Sequence, residues 1–121
     1  MSIAGSDCSG GAGIQADLKT ISALGAYAAT AITAITVQNT TGVRAIHPVP
    51  PVFVREQIEA VMDDIRPDAI KIGMINDIEI VKVISACLHN YRPAYVIFDP
   101  VMVSTLSLIH ISEPTRLGMI S

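Results

Sequence analysis

Ser9-Gly10-Gly11-Ala12-Gly13 separates an apolar run from a helical pattern, and glycines so placed can do chemistry. The first N–H groups of a helix have no intrahelical partner, so this loop could receive an anion or a small polar ligand. It could equally be a tight turn with no ligand. Gly11-Ala12-Gly13-Ile14-Gln15-Ala16 also has the GxGxxA spacing of dinucleotide-binding loops. That reading needs an acid about 20 positions on for the ribose. The chain offers Thr36, Val37 and Gln38 there, which argues against it, and no Gly-Lys pair exists to build a Walker A loop.

Five further residues carry polar chemistry. Asp17, one turn into the helical pattern, fits a helix-start acid favoured by the dipole. Gln38 closes a strand-like run and offers an acceptor and donors in one plane, suited to the edge of a nitrogen heterocycle or to an ordinary loop amide. Asp99, between an apolar run and Pro100, could hold magnesium, order a water or make an Asx turn. Lys71 sits inside an apolar run, where its ammonium needs a partner or must snorkel past an edge. Cys8 has no histidine near it in sequence to act as a base and reads as a small loop residue. Met74 and Met102 read as core fillers.

These residues need a scaffold, and the pattern of the chain supplies one. Met1 to Asp7 reads as a strand, and Ile14, Leu18, Ile21 and Leu24 recur at helical spacing before Gly25. Ala28 to Val37 reads as a buried strand from its β-branched content, closed by the polar cluster Gln38 to Gly42. Pro48, Pro50 and Pro51 mark a stiff connection, and Val54, Ile58, Val61, Met62 and Ile65 line one helical face that Pro67 ends. Ala69 to Ile75 is a short strand. Asn76 with Glu79 has the spacing of a capping box ahead of the stripe Ile80, Val83, Ile84, Cys87, Leu88 and Tyr91, which Pro93 terminates. Ala94 to Phe98 is the last strand. Alternating strands and helices, with strands apolar on both faces, predict an α/β fold with a mainly parallel sheet covered on both sides. In such sheets ligands bind outside the carboxyl ends of the strands, so Gly5 to Gly13, Gln38-Asn39, Gly73-Met74 and Asp99 to Met102 should face one crevice.

The chain has 121 residues, one domain's worth, and 8 basic against 11 acidic residues leave no footprint for gripping nucleic acid. Apolar runs break well short of a membrane span, and no signal-peptide pattern opens the chain, so a cytoplasmic protein is expected. Cys8 and Cys87 are far apart and belong to no CxxC pair, which argues against a disulfide scaffold or a zinc site. From Leu106 the periodicity collapses. Back-translated with one choice of codons, Leu106 to Arg116 resembles a transposase mosaic-end adapter of the kind used in sequencing libraries. The expected division is therefore a domain portion over 1–105 and an adapter-derived tail over 106–121, excluded from fold reasoning.

The segments IAGSDCSGGAGIQADLKT, GAY, VQNT, HPVPP, DAIKIGM and FDPVM, in this order, resemble the hydroxymethylpyrimidine/phosphomethylpyrimidine kinases of thiamine biosynthesis, in the ribokinase-like superfamily. The resemblance runs from Ile3 to about Thr105. It implies a three-layer α/β/α sandwich and ATP-dependent, magnesium-assisted phosphoryl transfer to the hydroxymethyl group of an aminopyrimidine and then to its monophosphate. By motif, Gly5, Asp17, Gln38, Met74 and Val101 fall where the family lines its pyrimidine pocket, with polar contacts from Asp17 and Gln38. Asp99 matches the aspartate lying toward phosphate and magnesium. The family's later GxGD-type loop, with the catalytic base and anion hole, has no counterpart here. The resemblance thus implies an N-terminal, acceptor-binding portion that is inactive alone, with Met1 an internal start. Pyridoxal kinase shares the glycine-rich opening and DPVM, whereas VQNT and HPVPP favour the pyrimidine enzyme. A non-catalytic α/β ligand-binding module is the alternative from another class. The small-molecule aminopyrimidine is the expected partner, and the oligomeric state, a homo-oligomer included, is left open.

Overall fold

The computed structural model describes residues 1–99. Val101, Met102 and the 106–121 tail lie outside the described residues. Five strands and three helices follow in the order β1 (Ser2–Asp7), α1 (Gly13–Ala23), β2 (Thr30–Asn39), β3 (Gly42–Pro48), α2 (Pro51–Asp64), β4 (Ala69–Ile72), α3 (Ile78–Tyr91) and β5 (Tyr95–Phe98). The sheet order is β3-β2-β1-β4-β5, parallel throughout except for the antiparallel β2–β3 pair. The mainly parallel α/β fold expected from the sequence is therefore present.

The two directions of crossover create the layers. From β1 the chain crosses by α1 to the parallel β2, and from β4 it crosses in the other direction by α3 to the parallel β5, while α2, which follows the antiparallel β3, shares the core of α3. Right-handed crossovers running in opposite directions place their helices on opposite faces. Accordingly Met1, Ile3, Ala31, Ile70 and Ile72 pack against Val54, Ile58 and Met62 of α2 and Ile80, Ile84 and Cys87 of α3. Ser2 and Lys71, which alternate with those core residues, instead hydrogen-bond to Asp17 of α1. Truncating a fully buried Ile3, Ile58 or Ile80 to alanine should cost about 2–5 kcal/mol, the usual penalty for a large cavity.

Three details depart from the sequence reading. The polar cluster after β2 is a hairpin turn, with Thr41 donating its N–H and hydroxyl to Asn39 Oδ1, and it leads into an additional strand, β3. Every β3 residue is exposed, so no buried apolar pattern announces it. The cap of α3 is Asp77, whose carboxylate accepts from the Glu79 N–H at 2.9 Å, rather than Asn76. Finally, β4 stops at Ile72, because Gly73 and the residues after it leave the ladder. Helix ends follow the glycine and proline signals more closely. At α1, Gly25 has φ +84°, and the Ala26 and Gly25 N–H groups donate to Ile21 and Ser22 carbonyls, closing a Schellman motif. No helix among the described residues is long and apolar enough to cross a membrane.

A bulge in β2 bears directly on the site. Between Ala4 and Ser6 of β1 the partner residue moves from Ile32 to Ile35, so β2 carries one extra residue. The Gln57 side chain from α2 accepts from the Ile32 N–H at 2.9 Å and donates to the Ile32 carbonyl at 3.0 Å, satisfying both backbone groups. Register controls which side chains face the cleft. Beyond the bulge, Thr36 and Gln38 line it, while Ile35 and Val37 are exposed.

Candidate functional site

Between β1 and β4 the crossovers depart to opposite faces, and a cleft opens at the carboxyl ends of the strands. Its volume is about 310 Å³, and its lining includes Gly5, Asp17, Gln38, Lys71, Met74 and Asp99. Five of the six residues named by the resemblance thus come together from β1, α1, β2 and the segments after β4 and β5. The sixth, Val101, lies outside the described residues.

The glycine-rich loop is organised by a residue that motif spacing did not single out. Asp7 is buried, and its Oδ1 accepts from the N–H and hydroxyl of Ser9 at 2.8 and 2.7 Å. Its Oδ2 accepts from the N–H groups of Gly11 and Ala12 at 3.0 and 2.8 Å. These bonds, led by the Ser9 hydroxyl, hold the Asp7 carboxyl down to about 2. The N–H groups of Gly11 and Ala12 are therefore engaged by Asp7, as the tight-turn alternative has it at these two positions. An aspartate followed by Cys-Ser-Gly-Gly is a readable Asx-turn signal. Gln15 completes the fold of the loop, accepting from the Asp7 N–H at 2.8 Å and donating to Ser6 Oγ at 2.8 Å.

Gly13 is the residue that lets α1 start so close to β1. Its φ is +58°, and a Cβ there would collide with the Gly5 carbonyl oxygen. Gly73 serves a similar close approach from the other side, since a Cβ would sit 2.8 Å from Ala4 Cβ and 3.4 Å from Lys71 Nζ. Gly5 differs from both. A Cβ there would find only ordinary contacts, 3.8 Å from Met74 Cε and 3.9 Å from Thr36 Cγ2, so Gly5 leaves room in the cleft rather than relieving a backbone clash.

At the base of the cleft Lys71 Nζ lies 3.1 Å from Asp17 Oδ1 and 3.0 Å from Oδ2. Ser2 Oγ donates to the same Oδ2 at 2.6 Å. The partner that Lys71 requires is therefore Asp17, and the carboxylate expected to contact the heterocycle is already held by an ammonium and a hydroxyl. Asp99 Oδ2 is 3.7 Å from Lys71 Nζ, within ion-pair range but beyond a hydrogen bond. Its side chain is 41% exposed, which leaves the carboxylate accessible. Among the described residues no group of three or more His, Cys, Asp or Glu could enclose a metal. One accessible carboxylate suits magnesium, which keeps several waters and uses few protein ligands alongside phosphate oxygens.

Gln38 faces the cleft with a side-chain amide that has no hydrogen-bond partner among the described residues. Its backbone is fastened to the loop. The Cys8 thiol donates to the Gln38 carbonyl at 3.1 Å, and the Gln38 N–H donates to Cys8 Sγ at 3.4 Å. Cys8 is thus a loop residue, as its lack of a neighbouring base suggested, with the added task of joining the loop to β2. Met74 lines the cleft rather than filling the core.

A family model described as phosphomethylpyrimidine kinase matches residues 7–113. The hydroxymethylpyrimidine/phosphomethylpyrimidine kinase of Escherichia coli is 48% identical over 104 residues, which are 86% of this chain and 39% of that protein. The crystal structure of phosphomethylpyrimidine kinase from Clostridium difficile superimposes with a TM-score of 0.82 at 55% identity, covering 84% of this chain and 44% of that one. A pyridoxal kinase from Staphylococcus aureus in complex with pyridoxal gives a TM-score of 0.75 at 41% identity, covering 84% and 38%. The chain therefore spans less than half the length of these relatives. A match across most of the chain, with the strand-end cleft that these motifs imply, establishes that it belongs to the phosphomethylpyrimidine kinase family.

Proposed function

We propose that the protein containing this sequence transfers a phosphoryl group from ATP to the hydroxymethyl group of 4-amino-5-hydroxymethyl-2-methylpyrimidine and then to the resulting monophosphate. Residues 1–99 supply the acceptor-binding side. The observation that carries this reading is the Gln38 amide, unpaired among the described residues and facing a cleft of about 310 Å³ that Gly5 also lines. A planar amide can accept from a ring amino group and donate to a ring nitrogen, while Met74 packs on the ring. Phosphoryl transfer needs positioning and charge neutralisation more than covalent help from the protein. Asp99 would hold magnesium, which when bound neutralises phosphate charge. The catalytic base and anion hole belong to a part of the protein beyond this chain, so the chain alone is expected to bind and not to turn over. The reading places the protein in the cytoplasm, where ATP is available. It keeps 1–105 as kinase sequence and 106–121 as an adapter-derived tail, although the family match running to residue 113 weighs against that boundary.

A second acceptor, pyridoxal, is favoured by one observation: the pyridoxal-bound Staphylococcus aureus kinase shares this fold at 41% identity. Both compounds are six-membered nitrogen heterocycles bearing a hydroxymethyl arm. An ATP-consumption assay on a full-length protein carrying this sequence separates them. Turnover of the aminopyrimidine supports the proposal, and turnover of pyridoxal without it refutes the proposal.

A further inference from the structure

Lys71 is the one lysine or arginine lining the cleft among the described residues, and three carboxylates line it too, those of Asp7, Asp17 and Asp99. Asp7 is saturated by the glycine loop. Asp17 takes its hydrogen bonds from Lys71 Nζ and from Ser2. Asp99 stands at 3.7 Å from Lys71, too far to accept a hydrogen bond. An ammonium has three protons, and two suffice for the contacts with Asp17. The third has no acceptor among the described residues, although the side chain remains 27% exposed. Lys71 therefore resembles a built donor more than a buried structural charge: its head is fixed by Asp17, and Asp17 is fixed by Ser2.

The charges decide what this donor is for. A neutral pyrimidine alcohol can enter a carboxylate-lined cleft without a counter-charge. A phosphate monoester on its hydroxymethyl arm cannot do so cheaply, because Asp99 and Asp17 would repel it in a partly desolvated space. We propose that Lys71 is a ligand-contacting residue that donates its third ammonium proton to the oxygen of the acceptor's side arm. Its main effect is to admit the phosphorylated acceptor. Asp17 then acts as the positioning residue for Lys71, in place of the direct heterocycle contact that the family resemblance implies. Because Asp17 already fixes Nζ, little side-chain freedom is lost when the ligand arrives.

This inference rests on the acceptor reading above, and calorimetric titration separates the two. The aminopyrimidine alcohol and its monophosphate are titrated, without ATP, into the full-length protein in wild-type, Lys71→Met and Lys71→Arg forms. Charge-assisted hydrogen bonds are worth enough that Lys71→Met should weaken the monophosphate about ten-fold or more. The alcohol should lose less than about three-fold, and Lys71→Arg, which keeps the charge, should recover most of the monophosphate affinity. Should Lys71→Met fail to fold because Asp17 is left unpaired, Lys71→Gln, whose amide can still donate to Asp17, removes the charge alone and carries the same test. Equal losses for both ligands, an unchanged monophosphate affinity, or no recovery with arginine would each overturn the role of Lys71. A wild-type protein that binds pyridoxal but neither pyrimidine overturns the acceptor reading, and this inference with it.

Discussion

Asp7 accepts both the N–H and the hydroxyl of Ser9 through a single carboxylate oxygen, at 2.8 and 2.7 Å. The other oxygen takes two more N–H groups from Gly11 and Ala12, so one buried carboxylate holds the turn that leads into α1. The folded protein holds this carboxyl near 2, below its ordinary 3.8. A depressed folded value means the contribution is complete above the unfolded value and is lost as pH falls through the folded one. The wild-type protein should therefore lose thermal stability between about pH 5 and pH 2. Asp7→Asn should be less stable at neutral pH and should show a shallower decline over that range. Equal acid slopes in the two melting series would contradict the role given to Asp7.

Gly13 and Gly25 form a natural pair for testing the close approach of α1 to β1. Both have positive φ, but a Cβ at Gly25 meets nothing within 4 Å, while at Gly13 it collides with the Gly5 carbonyl. Gly25→Ala should cost about 1–2 kcal/mol, the left-handed penalty alone. Gly13→Ala should cost clearly more in denaturant unfolding. Equal midpoint shifts would show that the contact at Gly5 does not constrain the loop.

Gly5→Ala should separate binding from stability. The added methyl makes only ordinary contacts with the Ala34 carbonyl, Met74 and Thr36, so the melting temperature should hold. Because it fills space inside a small cleft, acceptor KM should rise while the KM for ATP stays level. A variant with unchanged acceptor KM would mean that the ligand does not approach Gly5.

Much of this molecule was legible before its structure, for reasons that particular residues make plain. Apolar spacing in Val54, Ile58 and Met62, or in Ile80, Ile84 and Cys87, reports a helix because one face must meet the sheet, and these are the residues in the core. Strand β3 left no such trace, since its residues are exposed and its pairing is read only by its neighbour β2. The positions Gly5, Gln38, Met74 and Asp99 could be assigned to one crevice because an α/β sheet gathers its strand ends, whereas Asp17, one turn into α1, was assigned to it by the family resemblance. What each polar group touches was less accessible. Whether Asp17 meets a ligand or Lys71 depends on a contact across 54 positions of sequence, and the saturation of Asp7 depends on the path of the loop.

Gln38→Leu bears on the acceptor pocket as a whole. Leucine keeps approximate size and removes both hydrogen-bonding ends, leaving the polar edge of a bound pyrimidine unpaired at a cost of about 1–3 kcal/mol. Catalytic efficiency for the aminopyrimidine should fall about 5- to 150-fold.

The most direct measurement is calorimetric titration of the aminopyrimidine alcohol, and separately of ATP, into the full-length wild-type protein and Gln38→Leu. The wild-type protein should bind both, and the variant should lose the pyrimidine by the same factor as its efficiency while keeping its affinity for ATP. An unchanged pyrimidine affinity beside a weakened affinity for ATP would remove Gln38 from the acceptor pocket and contradict the central claim.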